Sequence, residues 1–280
     1  MNKFMLISLP LPDGSLCKLN VTIWGDETAP RTLFCVHGLT RNGRDFDVLA
    51  KAAAEKGFRV ICPDMPGRGK SDWLPNTSFY NNLINAQLCL ALLLALGIKK
   101  VDWVGTSMGG LIALLIANQA PNLINKLVLN DVGCVIPAAA LQRIGSYVGN
   151  SPVYANFSDA EKELKCRTLP FAIPPEYWAD FAANSIEQTA AGFRLAYDPA
   201  IAATFGEIKQ NIEMWPLWEA VKAIPTLLIR GAQSDLLTAS TAATMQATHP
   251  HLSYYEVANA GHAPALMSDG EISKILDFVQ

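Results

Sequence analysis

Two stretches of this chain, residues 32–130 and 225–279, alternate short apolar runs of strand character with longer runs in which apolar residues recur at helical spacing. Strands are expected at 32–36, 58–62, 101–105, 124–130, 225–230 and 252–257, and helices at 44–56, 80–96, 240–248 and 271–279, with a further helix directly after residue 107. Strands separated by helices pair in parallel and bury both faces, so the expected fold class is α/β, a mostly parallel central sheet with helices on both sides. Ahead of this, runs at 4–9 and 16–24 flank the turn Pro12-Asp13-Gly14-Ser15 and read as an antiparallel hairpin. At 280 residues and 50% hydrophobic content the chain is long enough to bury such a core. The rhythm breaks once, after the sixth strand. Residues 133–215 carry short helical patterns at 138–148, 159–166 and 176–184, with Tyr147, Tyr154, Phe171, Trp178 and Phe181 supplying apolar bulk. An insertion there lies beyond a strand's carboxyl end, where open α/β sheets bind ligands, and reads as a helical cap. The expected division is a core of residues 1–132 and 216–280 with a cap of 133–215.

Residues 105–110 read Gly-Thr-Ser-Met-Gly-Gly, between the strand 101–105 and the apolar helix that follows. In that context Gly-x-Ser-x-Gly is a sharp strand-to-helix turn that presents the serine hydroxyl above the sheet, with glycines where side chains would obstruct the turn. Ser107 is therefore the candidate nucleophile. Loops that follow strands open on one edge of the sheet and loops that follow helices on the other, so its partners must also follow strands. Of the four histidines, His249 and His251 fall between a helix and a strand, and His37 is followed at once by Gly38 and is placed to shape the loop wall. His262, in Ala-Gly-His-Ala-Pro after the last strand, can reach Ser107 as general base. A base histidine needs a carboxylate on its other nitrogen. Asp131, directly after the sixth strand, and Asp235, in Arg-Gly-Ala-Gln-Ser-Asp after the next, both lie on the correct edge. Asp235 is the favoured acid and Asp131 the alternative, read as capping or orienting the entrance to the insertion.

A net charge of −3 without any Lys/Arg run argues against a nucleic-acid or anionic-membrane surface and for a small-molecule partner with an apolar portion. Six scattered cysteines without a Cys-x-x-Cys pair fit a reducing compartment and give no metal site. The apolar runs at 4–9 and 88–96 are too short for a signal peptide or a membrane span. The expectation is a cytoplasmic enzyme needing no cofactor, its oligomeric state left open.

Five ordered landmarks carry a family resemblance: Val36-His37-Gly38-Leu39, the stretch from Asp64 to Asp72 (Asp-Met-Pro-Gly-Arg-Gly-Lys-Ser-Asp), the Ser107 elbow, Arg230-Gly231 to Asp235, and Gly261-His262. Over nearly its whole length the chain resembles the α/β-hydrolase superfamily. The resemblance implies Ser107 as nucleophile, Asp235 as acid, His262 as base, and the backbone N–H groups of Leu39 and Met108 as an oxyanion hole; the Asp64–Asp72 turn is read as structural. Relatives with an aspartate at the elbow are excluded by Ser107. The implied activity is that of a serine esterase working through an acyl-enzyme. Carbon–carbon bond hydrolases of ring-cleavage products share the Gly-x-Ser-Met-Gly-Gly elbow, but usually place an aromatic residue after the histidine, where this chain has Ala263. Cofactor-free perhydrolases use the same triad, and small-ligand receptors resembling this superfamily are the non-enzymatic alternative. Arg41, after the oxyanion loop, has two readings: a possible contact for a substrate carboxylate, or a loop charge paired with Asp45 or Asp47.

Overall fold

A computed structural model of the chain describes residues 2–206 and 208–280. Its main sheet is assembled from the hairpin β1 (Asn2–Pro10) and β2 (Leu16–Trp24), then β3 (Arg31–Val36), β4 (Phe58–Pro63), β5 (Val101–Thr106) and β6 (Ile124–Asn130). Between β6 and the last two sheet strands lie four short strands, β7 (Val135–Ile136), β8 (Ile186–Thr189), β9 (Gly192–Leu195) and β10 (Ile212–Glu213); β11 (Thr226–Gly231) and β12 (Leu252–Val257) complete the sheet. The spatial order is β1-β2-β4-β3-β5-β6-β11-β12. β1 with β2 and β2 with β4 are antiparallel, and every other neighbouring pair is parallel. This is an α/β-hydrolase fold.

Side chains alternate across the central strands, as the period of two requires. Leu33, Cys35, Val104, Val128, Leu227 and Ile229 face α1 (Asp47–Glu55) and the final helix, α9 (Asp269–Val279). Phe34, Val36, Trp103, Leu127 and Leu129 face α2 (Asn82–Ala95) and α3 (Met108–Gln119). Both faces of these strands are buried, which is why the strands read as nearly continuous apolar runs. Cys17, Cys35, Cys62, Cys89 and Cys134 are buried as small core residues. No helix among the described residues is long and apolar enough to cross a membrane.

Helix starts differ from the sequence expectation where local hydrogen bonding competes. The helix expected from residue 80 begins at Asn82, because the Asn81 side chain accepts from the Ile84 N–H and caps it. The Tyr80 hydroxyl instead accepts from the Leu74 N–H and donates to Asp198.

The segment between β6 and β11 contributes α4 (Ala138–Val148), α5 (Phe157–Thr168), α6 (Trp178–Ser185) and α7 (Trp215–Val221). It is not purely helical: β8 and β9 form an antiparallel hairpin, and β10 pairs with β7. The hairpin is held by a cross-strand Arg194–Glu187 ion pair and turns at Gly192, whose φ of 137° suits only glycine. α7 packs back on α3, with Trp218 fully buried. The segment is fastened to the core by hydrogen bonds from Asn42 Nδ2 to Asn184 O, from Gly69 N to Ala196 O and from Asp198 N to Gly67 O. α8 (Ala239–Thr248) connects β11 to β12.

Candidate active site

The turn after β5 places Ser107 at φ 51° and ψ −111°, a left-handed backbone for a residue with a side chain, and such strain persists only where the surroundings impose it. Here packing imposes it. A Cβ on Gly109 would lie 1.9 Å from the Val36 carbonyl oxygen, and one on Gly105 would lie 2.5 Å from the Gly109 backbone. β3, the turn and α3 therefore approach as closely as only glycine allows. Ser107 N donates to Asn130 O at the end of β6, and Ser107 O accepts from the Gly110 and Leu111 N–H groups.

Ser107 Oγ lies 2.9 Å from His262 Nε2, and His262 Nδ1 lies 2.7 Å from Asp131 Oδ2. An ionised carboxylate only accepts, so Nδ1 carries the ring proton and Nε2 is left to accept from the serine hydroxyl. Asp131 is fully buried and receives two further donors, the Gly231 N–H on Oδ1 at 2.8 Å and the Ser234 hydroxyl on Oδ2 at 2.6 Å. Three donors converge on one carboxylate and fix its orientation and that of the imidazole.

The carboxylate brought to His262 is thus Asp131 and not Asp235, the one favoured from the sequence. Asp235 contacts the inserted segment instead: its two oxygens take Arg143 Nε at 2.6 Å and Nη2 at 2.8 Å, and its side chain is 48% exposed. The physical reason lies in the sheet. β6 and β11 are neighbours, so both aspartates start from adjacent strand ends. Asp131 follows β6 immediately and turns through φ 54°, which keeps its carboxylate beside the strand end. Asp235 stands four residues beyond Gly231, where the chain has already moved outward. The β11 turn meets Asp131 with donors from Gly231 and Ser234, while its own carboxylate is paired with Arg143. Ser234 was missed by the sequence reading, and a hydroxyl within this polar turn was the signal available.

His37 is fully buried and lies in the wall beside Ser107, as expected. Its Nε2 accepts from the Met65 N–H at 2.9 Å, so Nδ1 donates to Gly38 O at 2.7 Å. Burial pushes its pKa down to about 3 and keeps the ring neutral. Arg41 is also buried, and Asp45 holds it in a bidentate grip, Nε to Oδ2 at 2.8 Å and Nη2 to Oδ1 at 2.6 Å. Nη2 donates as well to Ser185 at 2.7 Å, and the guanidinium lies 4.0 Å from the centre of the Phe181 ring. Asp45 thus pairs with its charge and, with Ser185, engages Nε and Nη2, as the Asp45-paired reading has it, while the side chain also borders the cavity at Ser107.

Two cavities meet at Ser107. A narrow one of about 60 Å³ is bounded by Arg41, Phe171, Phe181 and His262, and a larger one of about 310 Å³ by Arg68, Asn85, Met108, Val132 and Phe205. Leu39, Ser107 and Ile144 border both. Met108 is the first residue of α3, where a backbone N–H has no acceptor within the helix. No group of three or more His, Cys, Asp or Glu side chains among the described residues is arranged to hold a metal ion.

The family model for the alpha/beta hydrolase fold matches residues 31–267. The chain is 38% identical over 261 residues to the 3-hydroxybutyrate-oligomer hydrolase of Cupriavidus necator, covering 89% of this chain and 88% of that protein. It is 44% identical over 82 residues, 29% of this chain and 28% of the relative, to a 2-hydroxy-6-oxononadienedioate/2-hydroxy-6-oxononatrienedioate hydrolase of Paraburkholderia phymatum. A crystal structure of an alpha/beta hydrolase from Novosphingobium aromaticivorans superimposes with a TM-score of 0.85 at 33% identity, covering 100% of this chain and 99% of that one. With its strand order, its serine elbow and these relatives, the chain belongs to the alpha/beta hydrolase family.

Proposed function

We propose that the protein is a serine hydrolase that cleaves carboxylic esters through an acyl-enzyme, with Ser107 as nucleophile, His262 as general base and Asp131 as the orienting acid. The observation that carries this reading is the continuous chain from Ser107 Oγ to His262 Nε2 at 2.9 Å and from His262 Nδ1 to Asp131 Oδ2 at 2.7 Å. In this mechanism His262 takes the serine proton as Oγ attacks the ester carbonyl, and Asp131 stabilises the imidazolium that forms. The backbone N–H groups of Leu39 and Met108 receive the developing oxyanion, a contribution of about 3 kcal/mol per donor in sites of this kind. His262 then returns the proton to the leaving alkoxide. Water then attacks the acyl carbon as it loses a proton to His262, and the acyl–Oγ bond breaks as His262 returns that proton to Ser107 Oγ, releasing the acid.

Residues 133–215 act as a cap in this reading, because Ile144, Tyr147, Phe171, Phe181 and Phe205 wall the two cavities beside the nucleophile. The substrate is a short ester with aliphatic flanks, and the similarity to the Cupriavidus protein supports a hydroxyacyl ester. The local similarity to the Paraburkholderia enzyme keeps a carbon–carbon bond hydrolase as the second reading. Ala263 stands where such enzymes usually carry an aromatic residue.

The test is labelling with a serine-directed phosphonate, alongside turnover of short aryl esters, hydroxyacyl ester dimers and a vinylogous diketone. The expected result is one adduct at Ser107, ester turnover, and loss of both in Ser107→Ala. An adduct elsewhere, or turnover of the diketone alone, would overturn the reading.

A further inference from the structure

Arg68 belongs to the turn after β4 that the sequence reading took as structural, yet its side chain walls the larger cavity. It is 1% exposed. Nε donates to Leu39 O at 2.8 Å and Nη1 to Pro66 O at 2.6 Å. Nη2 is directed at the Met108 thioether, 3.7 Å away, which is a weak acceptor. Among the described residues no carboxylate lies within ion-pair distance of this guanidinium. Asp198 is separated from it by Tyr80, whose hydroxyl donates to Asp198 at 2.6 Å and whose ring centre lies 5.6 Å from the guanidinium carbon. Burial lowers the pKa only to about 10, so the group is a cation at neutral pH.

Beside it, on α2, Asn85 is also 1% exposed and borders the same cavity. Its Nδ2 is directed at the same thioether at 3.7 Å, and its Oδ1 has no partner. Two buried polar side chains thus converge on one soft sulfur atom at the wall of an otherwise largely apolar cavity. A buried charge and a buried amide left in that state are costly, and a methionine side chain is flexible enough to be displaced. Met108 is adjacent in sequence to Ser107. An anionic group resting on Arg68 would therefore stand only a few bonds from the atom Ser107 attacks.

We propose that Arg68, assisted by Asn85, is a carboxylate-binding site, and that the protein selects esters whose cavity-facing portion is short, aliphatic and ends in a free carboxylate. The guanidinium keeps Nη2 and part of Nη1 available for such a group, and the Asn85 amide, turned about its Cβ–Cγ bond, donates to the same carboxylate. Arg41 differs in that Asp45 already matches its charge through Nε and Nη2. This inference rests on Ser107 being the nucleophile.

The experiment compares kcat/KM on a hydroxyacyl ester dimer with a free carboxylate and on its methyl ester, in the natural protein, Arg68→Gln, Arg68→Lys and Asn85→Ala, with a neutral aryl ester as the independent report on the nucleophile. The natural protein should favour the free acid on the order of ten- to a hundredfold, as a charge-assisted pair allows. Arg68→Gln should abolish the preference, chiefly through KM; Arg68→Lys should keep part of it, and Asn85→Ala should weaken it. Arg68→Gln also removes a donor to the Leu39 carbonyl, so both rates can fall together while the ratio still reports recognition. Should Arg68→Gln not fold, Ser107→Ala protein titrated with free 3-hydroxybutyrate and with its amide gives the same reading, with binding of the acid alone expected. The proposal is overturned by equal rates on acid and methyl ester in the natural protein, by an unchanged ratio in Arg68→Gln, or by equal binding of acid and amide. Failure of the nucleophile assignment would show separately, as absent aryl-ester turnover.

Discussion

Asp131→Asn changes one atom, and the surroundings determine where the new NH2 group goes. Every partner of Asp131 is a donor: Gly231 N–H on Oδ1, and Ser234 O–H with His262 Nδ1 on Oδ2. If the NH2 occupied the Oδ1 position it would oppose a backbone N–H that cannot rotate away, leaving a buried donor unsatisfied at a cost of about 1–3 kcal/mol. At the Oδ2 position it meets a hydroxyl that can rotate and an imidazole that can shift its proton. The second orientation is favoured. It places a donor against Nδ1, drives the ring proton to Nε2, and so removes the acceptor for the Ser107 hydroxyl. Folding should survive, but kcat on a short aryl ester should fall by on the order of 10⁴, about 5.5 kcal/mol in barrier, as wrong-tautomer substitutions do in related triads.

Asp235→Asn is the matched comparison. It breaks an exposed pair with Arg143, an interaction generally worth about 0–1 kcal/mol, and should change kcat by no more than a few-fold. Steady-state kinetics of the two variants, with circular dichroism to verify the fold, decides between the carboxylates. A larger loss in Asp235→Asn than in Asp131→Asn would refute both the tautomer argument and the assignment of the acid.

Two further outcomes concern the scaffold. Gly109→Ala sets a Cβ 1.9 Å from the Val36 carbonyl oxygen, a backbone clash that no rotamer relieves, and should cost about 3 kcal/mol or more in chemical denaturation; a near-native denaturation midpoint would contradict the packing described. His37 has a folded pKa near 3 because burial disfavours its cation, against an ordinary value of 6.5. The unfolded chain therefore binds the extra proton first, and the His37 contribution is complete above about pH 6.5 and falls toward pH 3 by up to about 1.4 kcal/mol per pH unit. Stability measured from pH 7 to 4 should fall less steeply in His37→Gln than in the natural protein, and parallel curves would count against the buried neutral ring.

The parallel sheet was legible because strands buried on both faces must be apolar throughout and must be separated by helices, so the pairing type follows from local pattern, whereas the spatial order of the strands does not. The hairpin 186–195 was not. Its residues Ile-Glu-Gln-Thr and Gly-Phe-Arg-Leu are only partly buried and lack a clean alternation, and an Arg194–Glu187 pair does part of the work that buried side chains do elsewhere. At the site, the edge rule brought Ser107 and His262 together, because both depend only on following a strand. It could not separate Asp131 from Asp235, since β6 and β11 are neighbours and both loops open at the same place. That choice turns on how far each carboxylate is carried beyond its strand end, a matter of a few ångströms set by φ at residue 131.

The two arginines show the same limit. Arg41 and Arg68 both lie in loops after strands on the active edge, and local sequence does not separate them: Asp45 stands four residues from Arg41 and pairs with it, whereas among the described residues no carboxylate pairs with Arg68. Asp64 and Asp72 are each four residues from Arg68 in sequence, yet they face elsewhere. Asp64 accepts from Asn20, Gly43 and Lys70, and Asp72 from Lys18. Sequence spacing alone would have assigned Arg68 a partner on either side. The turn through Gly67 at φ 75° and Gly69 at φ 55° takes those carboxylates away from the guanidinium and directs it toward the cavity. The same two glycines that made the segment read as an ordinary structural turn are what leave its central cation without a carboxylate at ion-pair distance among the described residues.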